Sequence, residues 1–554
     1  MSGSGEAAYV LDEEVKLYTI HISSKYLNLT RQKLELTRLP HDVPHPGRDE
    51  WWEPKSTVEP LVDYWLEKYS WHEQEAEFNA NIPQFRTAIQ ATSSDSPVRL
   101  HFIHSRSTHA NAVPLLLIPP FPFTNLSLTH LINLFTTPDD PARDTPFHLV
   151  IPSLPGLGFS DPITSNKRMI PLIADMFDSL MQRLGYTHYL ATNAAPSPNS
   201  ISDIDWRVVN HIATLHPDSC LGVHLVSPSF KAPTMQSAPL EWLKWKTAST
   251  FSTPMLGYSQ EDIVAFRQQP KQKQVPLMPG VGGVSKVFEP NTLSYALCDS
   301  PAGLLLFMLM VLRILGPRHE FSNKDLIQMA ELTWLPGPEG TMRLLAHSAS
   351  NADDLKPGSK RPKVGITAFS GTGARNEGNG LEPSAALPTS GPDVHTCLAW
   401  GRSRYHIVSW QRVPGNAGLL AWERPDVLVD GVRKLTGAIV AHDNRLQESK
   451  QPGTALLQQV VVDGEGVAPA ETSGTTIQAQ ETSPLPAPTD KKDSTEQGQV
   501  GEDAKMQRRP PTPMFPLMGE PSRETELAQD VGDASQGSSG GSPNTIRPMK
   551  KGRE

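Results

Sequence analysis

Asp205 and Trp206 head a helix-like stretch that runs to His216 and Pro217, a placement that can carry chemistry. A carboxylate at a helix start faces the unsatisfied N–H groups of the first turn, which favour its charged form. On a tight strand-to-helix turn it can act as a nucleophile, because the ester it forms is released by attack at its own carbonyl carbon. The same pattern fits a plainer role: Ser202-Asp203-Ile204-Asp205 reads equally as a helix N-cap followed by a first-turn acid. Both readings stay open at the level of sequence. The preceding strand ends near Ala194, so Ala195-Pro196-Ser197-Pro198-Asn199-Ser200 must be accommodated between strand and helix.

Releasing such an ester takes a base that activates water. His395 and His406 are the downstream imidazoles available for that work, although a lone histidine is more often structural. Three cysteines, Cys220, Cys298 and Cys397, lie far apart without Cys-x-x-Cys spacing, which argues against a disulfide framework and a zinc site. No metal or cofactor is expected.

The elements that must position these groups alternate. Val113–Ile118 and Phe147–Pro152 read as buried strands, followed by a helix over 171–185, strand 188–192, helix 203–215 and strand 222–227. A mostly helical insertion follows. Strands over 364–369 and 405–410 and a helix over 425–440 then resume the pattern, which implies a parallel sheet covered on both faces. Upstream, Val58, Leu61, Val62, Trp65, Leu66 and Tyr69 mark an amphipathic helix. Residues 302–315 form the longest apolar run, shorter than the roughly 20 residues of a membrane span and interrupted by Arg313, so a buried helix is expected. Net charge of −9 offers no basic surface for nucleic acid or anionic lipid. With no signal segment visible, a cytoplasmic protein is expected. After about Glu448 the chain turns rich in Pro, Gly, Ser, Thr and Gln and keeps Phe515 as its one aromatic, the composition of a disordered tail.

One segment is more specific. Tyr64-Trp65, Tyr69-Ser70-Trp71, Glu75, Phe78-Asn79, Pro83-Gln84-Phe85 and His101–Ser107 follow one another in an order that resembles the microsomal-type epoxide hydrolases, and the likeness covers about residues 10–440. It implies an α/β-hydrolase fold laid out as an epoxide hydrolase N-terminal domain over 10–95, a core over 96–230 and 356–445, a helical cap over 231–355, and the tail from 446.

The resemblance also implies residue roles. The family's nucleophile lies in Gly-Gly-Asp-Trp-Gly, which Asp205-Trp206 matches looking downstream, with Arg207 at the following Gly; looking upstream, an ungapped register from Leu184-Gly185-Tyr186 puts Ala195 at the nucleophile instead. Its oxyanion turn, His-Gly-x-Pro, corresponds to Pro119-Pro120-Phe121-Pro122, so Phe121, Pro122 and Trp206 form the implied oxyanion region. Pro120 has no N–H and cannot take positive φ, which diminishes the donors there. The family's Gly-Gly-His-Phe-Ala-Ala-x-Glu segment corresponds to residues ending at Glu423 and puts Gly418 at the catalytic histidine. The cap tyrosine of Arg-x-Tyr-x-Glu becomes Leu345, with Tyr258 and Tyr295 as spare candidates for its donor role, and Phe369-Ser370-Gly371-Thr372 replaces the segment of the partner acid, leaving Asp393 as the candidate acid. Two functions are expected. One is an epoxide-hydrolase-like protein that takes a small apolar molecule through an Asp ester with impaired turnover; the other is a catalytically inactive module that binds a ligand or scaffolds partners. Neither fixes the oligomeric state.

Overall fold

The protein is described by a computed structural model that covers residues 14–41, 54–90, 96–164, 168–196, 203–230, 232–236, 238–251, 253–268, 290–315, 319–350, 360–370, 395–415 and 417–448. The chain divides into two units, Met1–Ala468 and Pro469–Glu554, and every described residue belongs to the first. The tail expected after Glu448 lies outside the described residues.

Among the described residues nine strands form one sheet: β1 Lys16–Leu17, β2 Gln84–Ile89, β3 Val98–Ser105, β4 Val113–Ile118, β5 Phe147–Pro152, β6 Tyr189–Asn193, β7 Cys220–Val226, β8 Lys363–Phe369 and β9 His406–Val413. Their order is β1-β2-β3-β5-β4-β6-β7-β8-β9. All pairings from β5 to β9 are parallel, and β1, β2 and β3 extend that edge in antiparallel register. The amino-terminal section therefore supplies strands to the sheet itself as well as helices beside it.

Strands β4, β5, β6 and β7 are buried along their whole length, as a sheet covered on both faces requires. Alternation along β4 sorts the two faces. Leu116 and Ile118 join α5 (Met169–Arg183) and α6 (Ile204–Leu215) in one core, while Leu115 and Leu117 join α15 (Pro425–Val440) in the other. Burying each such Leu or Ile contributes about 1.5–3 kcal/mol, so the sheet is the principal source of order around the site. Helix α15 comes closest at Gly431, where an added Cβ would sit 2.2 Å from His224 Nε2 on β7.

The helices before α5 are α1 Ser24–Glu35, α2 Lys55–Glu67, α3 Trp71–Asn81 and α4 Ile132–Thr136. Between β7 and β8 lie α7 Pro239–Phe251, α8 Gln260–Gln268, α9 Pro290–Asp299, α10 Pro301–Ile314, α11 Asn323–Trp334 and α12 Glu339–Ser350. Each start has a local cause where the sequence offers one: Ser300 accepts from the Gly303 N–H at 2.9 Å, and Ser322 with Asp325 closes a reciprocal capping box on α11. The expected amphipathic stripe is real. Val58, Leu61, Val62 and Trp65 of α2 pack against Leu304, Leu305, Met308 and Val311 of α10 and Ile327 and Ala330 of α11. The long apolar run is thus a core helix, and among the described residues no single helix is long and apolar enough to cross a membrane. Short helices α13 Leu398–Gly401, α14 Leu420–Glu423 and α16 Arg445–Glu448 complete the described elements, and Leu446 is buried.

Candidate active site

The site is assembled where the parallel strands end. β6 finishes at Asn193, and the Nδ2 of that residue donates to Asp205 Oδ2 at 2.9 Å and to the Ala195 carbonyl at 2.5 Å. Helix α6 begins at Ile204, with Asp203 at the N-cap in left-handed backbone, φ 52° and ψ 20°, and no side-chain capping bond to the helix. Asp205 therefore lies inside the first turn rather than capping it. Its apolar neighbours on the helix, Ile204, Val208, Val209 and Ile212, face the core and draw it inward. The result is a carboxyl only 1% exposed.

Burial pushes the Asp205 carboxyl up to about 7. The Asn193 hydrogen bond pulls it down, the neighbouring Asp203 raises it, and the backbone N–H groups of Asp205 and Phe121 lower it. The Phe121 contribution puts the turn after β4 beside the carboxyl, and Phe121–Pro122 is a cis peptide there. Oδ1 of Asp205 accepts no hydrogen bond, and neither Asn193 Oδ1 nor the indole N–H of Trp206 has a partner. An unpaired buried polar atom typically costs about 1–3 kcal/mol, so the two left on Asp205 and its partner Asn193 mark a place built for something other than stability.

The other expected residues separate. Gly418 is left-handed at φ +55°, and a Cβ there would meet the Glu423 carboxylate at 2.4 Å. That carboxylate also accepts from the Leu419 N–H at 3.1 Å. Leu345 is buried in the same apolar core as Ile204. His395 is held elsewhere, its Nε2 2.5 Å from Asp262 Oδ1 on α8, and His406 is exposed on β9. Tyr295 is 80% exposed and Tyr258 packs against Phe266. Asp393 lies outside the described residues. Trp334 serves the core, donating to Thr30 at 2.8 Å. Sequence reasoning passed over Asn193 and Asp262; a polar residue closing an otherwise apolar strand was the available signal for Asn193. Among the described residues no group of three or more His, Cys, Asp or Glu is placed to hold a metal ion.

A separate cavity of about 430 Å³ opens between α3, the segment after β4, α11 and Trp422.

The family model for the epoxide hydrolase N terminus matches residues 15–128, which spans β1 to the segment after β4. A relative in Stigmatella aurantiaca, named provisionally as an epoxide hydrolase, is 31% identical over 296 residues, 52% of this chain and 57% of its own length. Juvenile hormone epoxide hydrolase 2 of Ctenocephalides felis is 26% identical over 320 residues, 55% of this chain and 61% of its own. The chain thus spans about three fifths of the length of these relatives. The crystal structure of juvenile hormone epoxide hydrolase from the silkworm Bombyx mori superposes with a TM-score of 0.57 at 19% identity, covering 79% of this chain and 98% of that one. That likeness shows the fold, an α/β-hydrolase core. By sequence the chain is similar to epoxide hydrolases, most specifically over residues 15–128 where the epoxide hydrolase N terminus matches, and by fold it is an α/β-hydrolase.

Proposed function

We propose that this chain is an epoxide-hydrolase-like protein that captures a small apolar epoxide on Asp205 and turns the resulting ester over slowly. In the capture step a carboxylate oxygen of Asp205 attacks a ring carbon and the C–O bond of the ring breaks. The freed oxygen takes the electron pair and then a proton from water, since Leu345 stands at the position of the family's tyrosine donor. Attack by a carboxylate needs no base. Release does, because water near neutral pH is a poor nucleophile, and losing a general base typically costs about 10²–10⁴-fold.

The observation that carries this reading is Gly418. It stands at the position implied for the histidine, and the space a side chain would enter there is filled by the Glu423 carboxylate. Support for the first step comes from the unpaired Oδ1 of Asp205 beside the Phe121 turn. A second reading, a module that binds without reacting, is favoured by the 1% exposure of Asp205. Intact-mass spectrometry after mixing the full chain with styrene oxide separates the two. A persistent adduct that disappears in Asp205→Asn supports capture, absence of adduct supports the binding module, and rapid diol formation over many turnovers would overturn both.

A further inference from the structure

Asp205 is only 1% exposed, so its carboxyl is closed to a substrate while α6 keeps its first turn. That turn is thinly held. Asp203 stands at the N-cap in left-handed backbone, which residues other than glycine rarely adopt, and its side chain makes no capping bond to the helix. The N–H groups of Ile204, Asp205 and Trp206 precede the first intrahelical bond, from the Arg207 N–H to the Asp203 carbonyl at 2.9 Å. Behind it the helix is anchored, since Val208 and Val209 are buried and the Arg207 guanidinium donates to the Ser348 carbonyl at 2.7 Å.

The closed turn serves Asp205 badly as an anion. Oδ2 accepts from Asn193 Nδ2 at 2.9 Å and Oδ1 accepts nothing, whereas a carboxylate has about four acceptor positions to fill. The charged neighbour that acts on it is Asp203, of the same sign. Cationic and imidazole groups on the surrounding elements are engaged elsewhere. Arg183 of α5 donates to Thr87 and Ala88, and His216 at the far end of α6 lies against Asp175 and Asp178 of α5. His211 Nδ1 lies 2.8 Å from the Arg207 carbonyl, and His224 of β7 sits between Thr192 and Thr367. Water would hydrate the carboxylate fully, so the charged form favours an arrangement that admits water.

We propose that ionisation of Asp205 opens the first turn of α6, so that the carboxyl reaches solvent in the form that attacks an epoxide. Opening breaks the bond from the Arg207 N–H to the Asp203 carbonyl, frees Asp203 from its left-handed conformation and hydrates the carboxylate. Reprotonation lets the turn close. The closed turn holds its proton up to about pH 7, and the open turn releases it near the ordinary 3.8. The ratio of open to closed therefore rises about tenfold per pH unit between those values and is constant above 7. The consequence for capture rests on the reading of Asp205 as a nucleophile; the opening itself does not.

Hydrogen exchange on the full chain, read residue by residue and corrected for the intrinsic pH dependence of exchange, follows the opening at the Arg207 amide. Its protection should fall roughly a hundredfold from pH 5 to 7 and stay level to about pH 9. The Ile212 amide, deeper in α6, should stay better protected at every pH, which separates local opening from unfolding of the whole chain. Asp205→Asn keeps the shape and removes the titration, so its Arg207 protection should be level throughout. Should that variant fail to fold, the wild-type profile stands as the test. Arg207 protection that does not change with pH, or that equals that of Ile212, would overturn the proposal. Mixing with styrene oxide keeps the two ideas apart: opening without adduct retires the capture reading alone, and adduct without opening retires this one.

Discussion

Asp205 costs the fold stability in proportion to pH. Its carboxyl titrates at about 7 when folded and near its ordinary 3.8 when unfolded, so between those values the folded chain holds more proton and stability falls as pH rises. The shift of about three units corresponds to roughly 4 kcal/mol at full expression, an upper bound for a buried group. Asp205→Asn should therefore raise the melting temperature, little at pH 4 and most above pH 7, as calorimetry across that range would show. Equal gains at every pH would remove burial of the charge as the cause. The same titration governs reactivity, since capture needs the carboxylate: adduct formation should climb through pH 7 and level off above 8. Gly418 carries the other residue-scale prediction. A side chain there takes a left-handed backbone and displaces Glu423, so Gly418→His should destabilise by about 1–3 kcal/mol in urea titrations and leave diol release slow.

At the scale of elements, α6 is fastened at its carboxyl end by a histidine. His216 Nε2 lies 2.8 Å from Asp175 on α5, and its Nδ1 lies 3.5 Å from Asp178. The Asp175 hydrogen bond, with the charge of both acids, raises the imidazole against the effect of burial. A raised histidine stabilises fully below its unfolded value, near 6.5, and the benefit is lost as pH rises through the folded value above it. His216→Gln should accordingly lower the melting temperature at pH 5.5 and change it little at pH 9. His216 caps the same helix that carries Asp205, so loosening that end should also lower adduct formation in this variant at pH 6.

The amino-terminal helices and the insertion are joined through a second buried acid. Glu331 on α11 is 3% exposed, takes the Trp65 indole N–H of α2 at 3.4 Å, and is pushed up to about 8 by burial, with Trp65 and Tyr69 opposing. Like Asp205 it penalises the fold as pH rises, here through a window from about 4.5 to 8. Asp443 works at the other limit: the Arg445 hydrogen bond holds it below the usual carboxylate range, with Lys363 assisting, so its contribution is lost as pH falls below 4. Burial also lowers His101, His104 and His224 to about 3 and His148 to about 4, so their neutral forms stabilise the fold above about 6.5 and that benefit is lost as pH falls, outweighing the two raised acids there. Thermal stability should therefore peak between about pH 6 and 7, and Glu331→Gln should flatten the alkaline decline without moving the acid limb. An unchanged alkaline limb would show that the amino-terminal helices and the insertion are not coupled through this carboxyl.

Periodicity and turn chemistry were enough to read the sheet and its helices. Alternating apolar runs such as Leu115–Leu116–Leu117–Ile118 declare a strand buried on both faces, and Pro425 at a helix start leads into Val427, Leu428 and Val432 at helical spacing, because local burial is written in local order. Boundaries moved by one or two residues, as they do where capping decides them: the helix expected from Asp203 starts at Ile204 with Asp203 outside it. The contribution of β1 and β2 to the main sheet was not legible, since strand pairing joins segments that sequence keeps apart. The site was legible only as a list of substitutions. That Asp205 is sunk beside Asn193 and Phe121, that His395 belongs to Asp262 of α8, and that Glu423 fills the space over Gly418 depend on contacts across tens to hundreds of residues or on a single left-handed φ. Residue type fixed which groups could do chemistry; tertiary packing decided which of them meet, and burial then set the charge they carry.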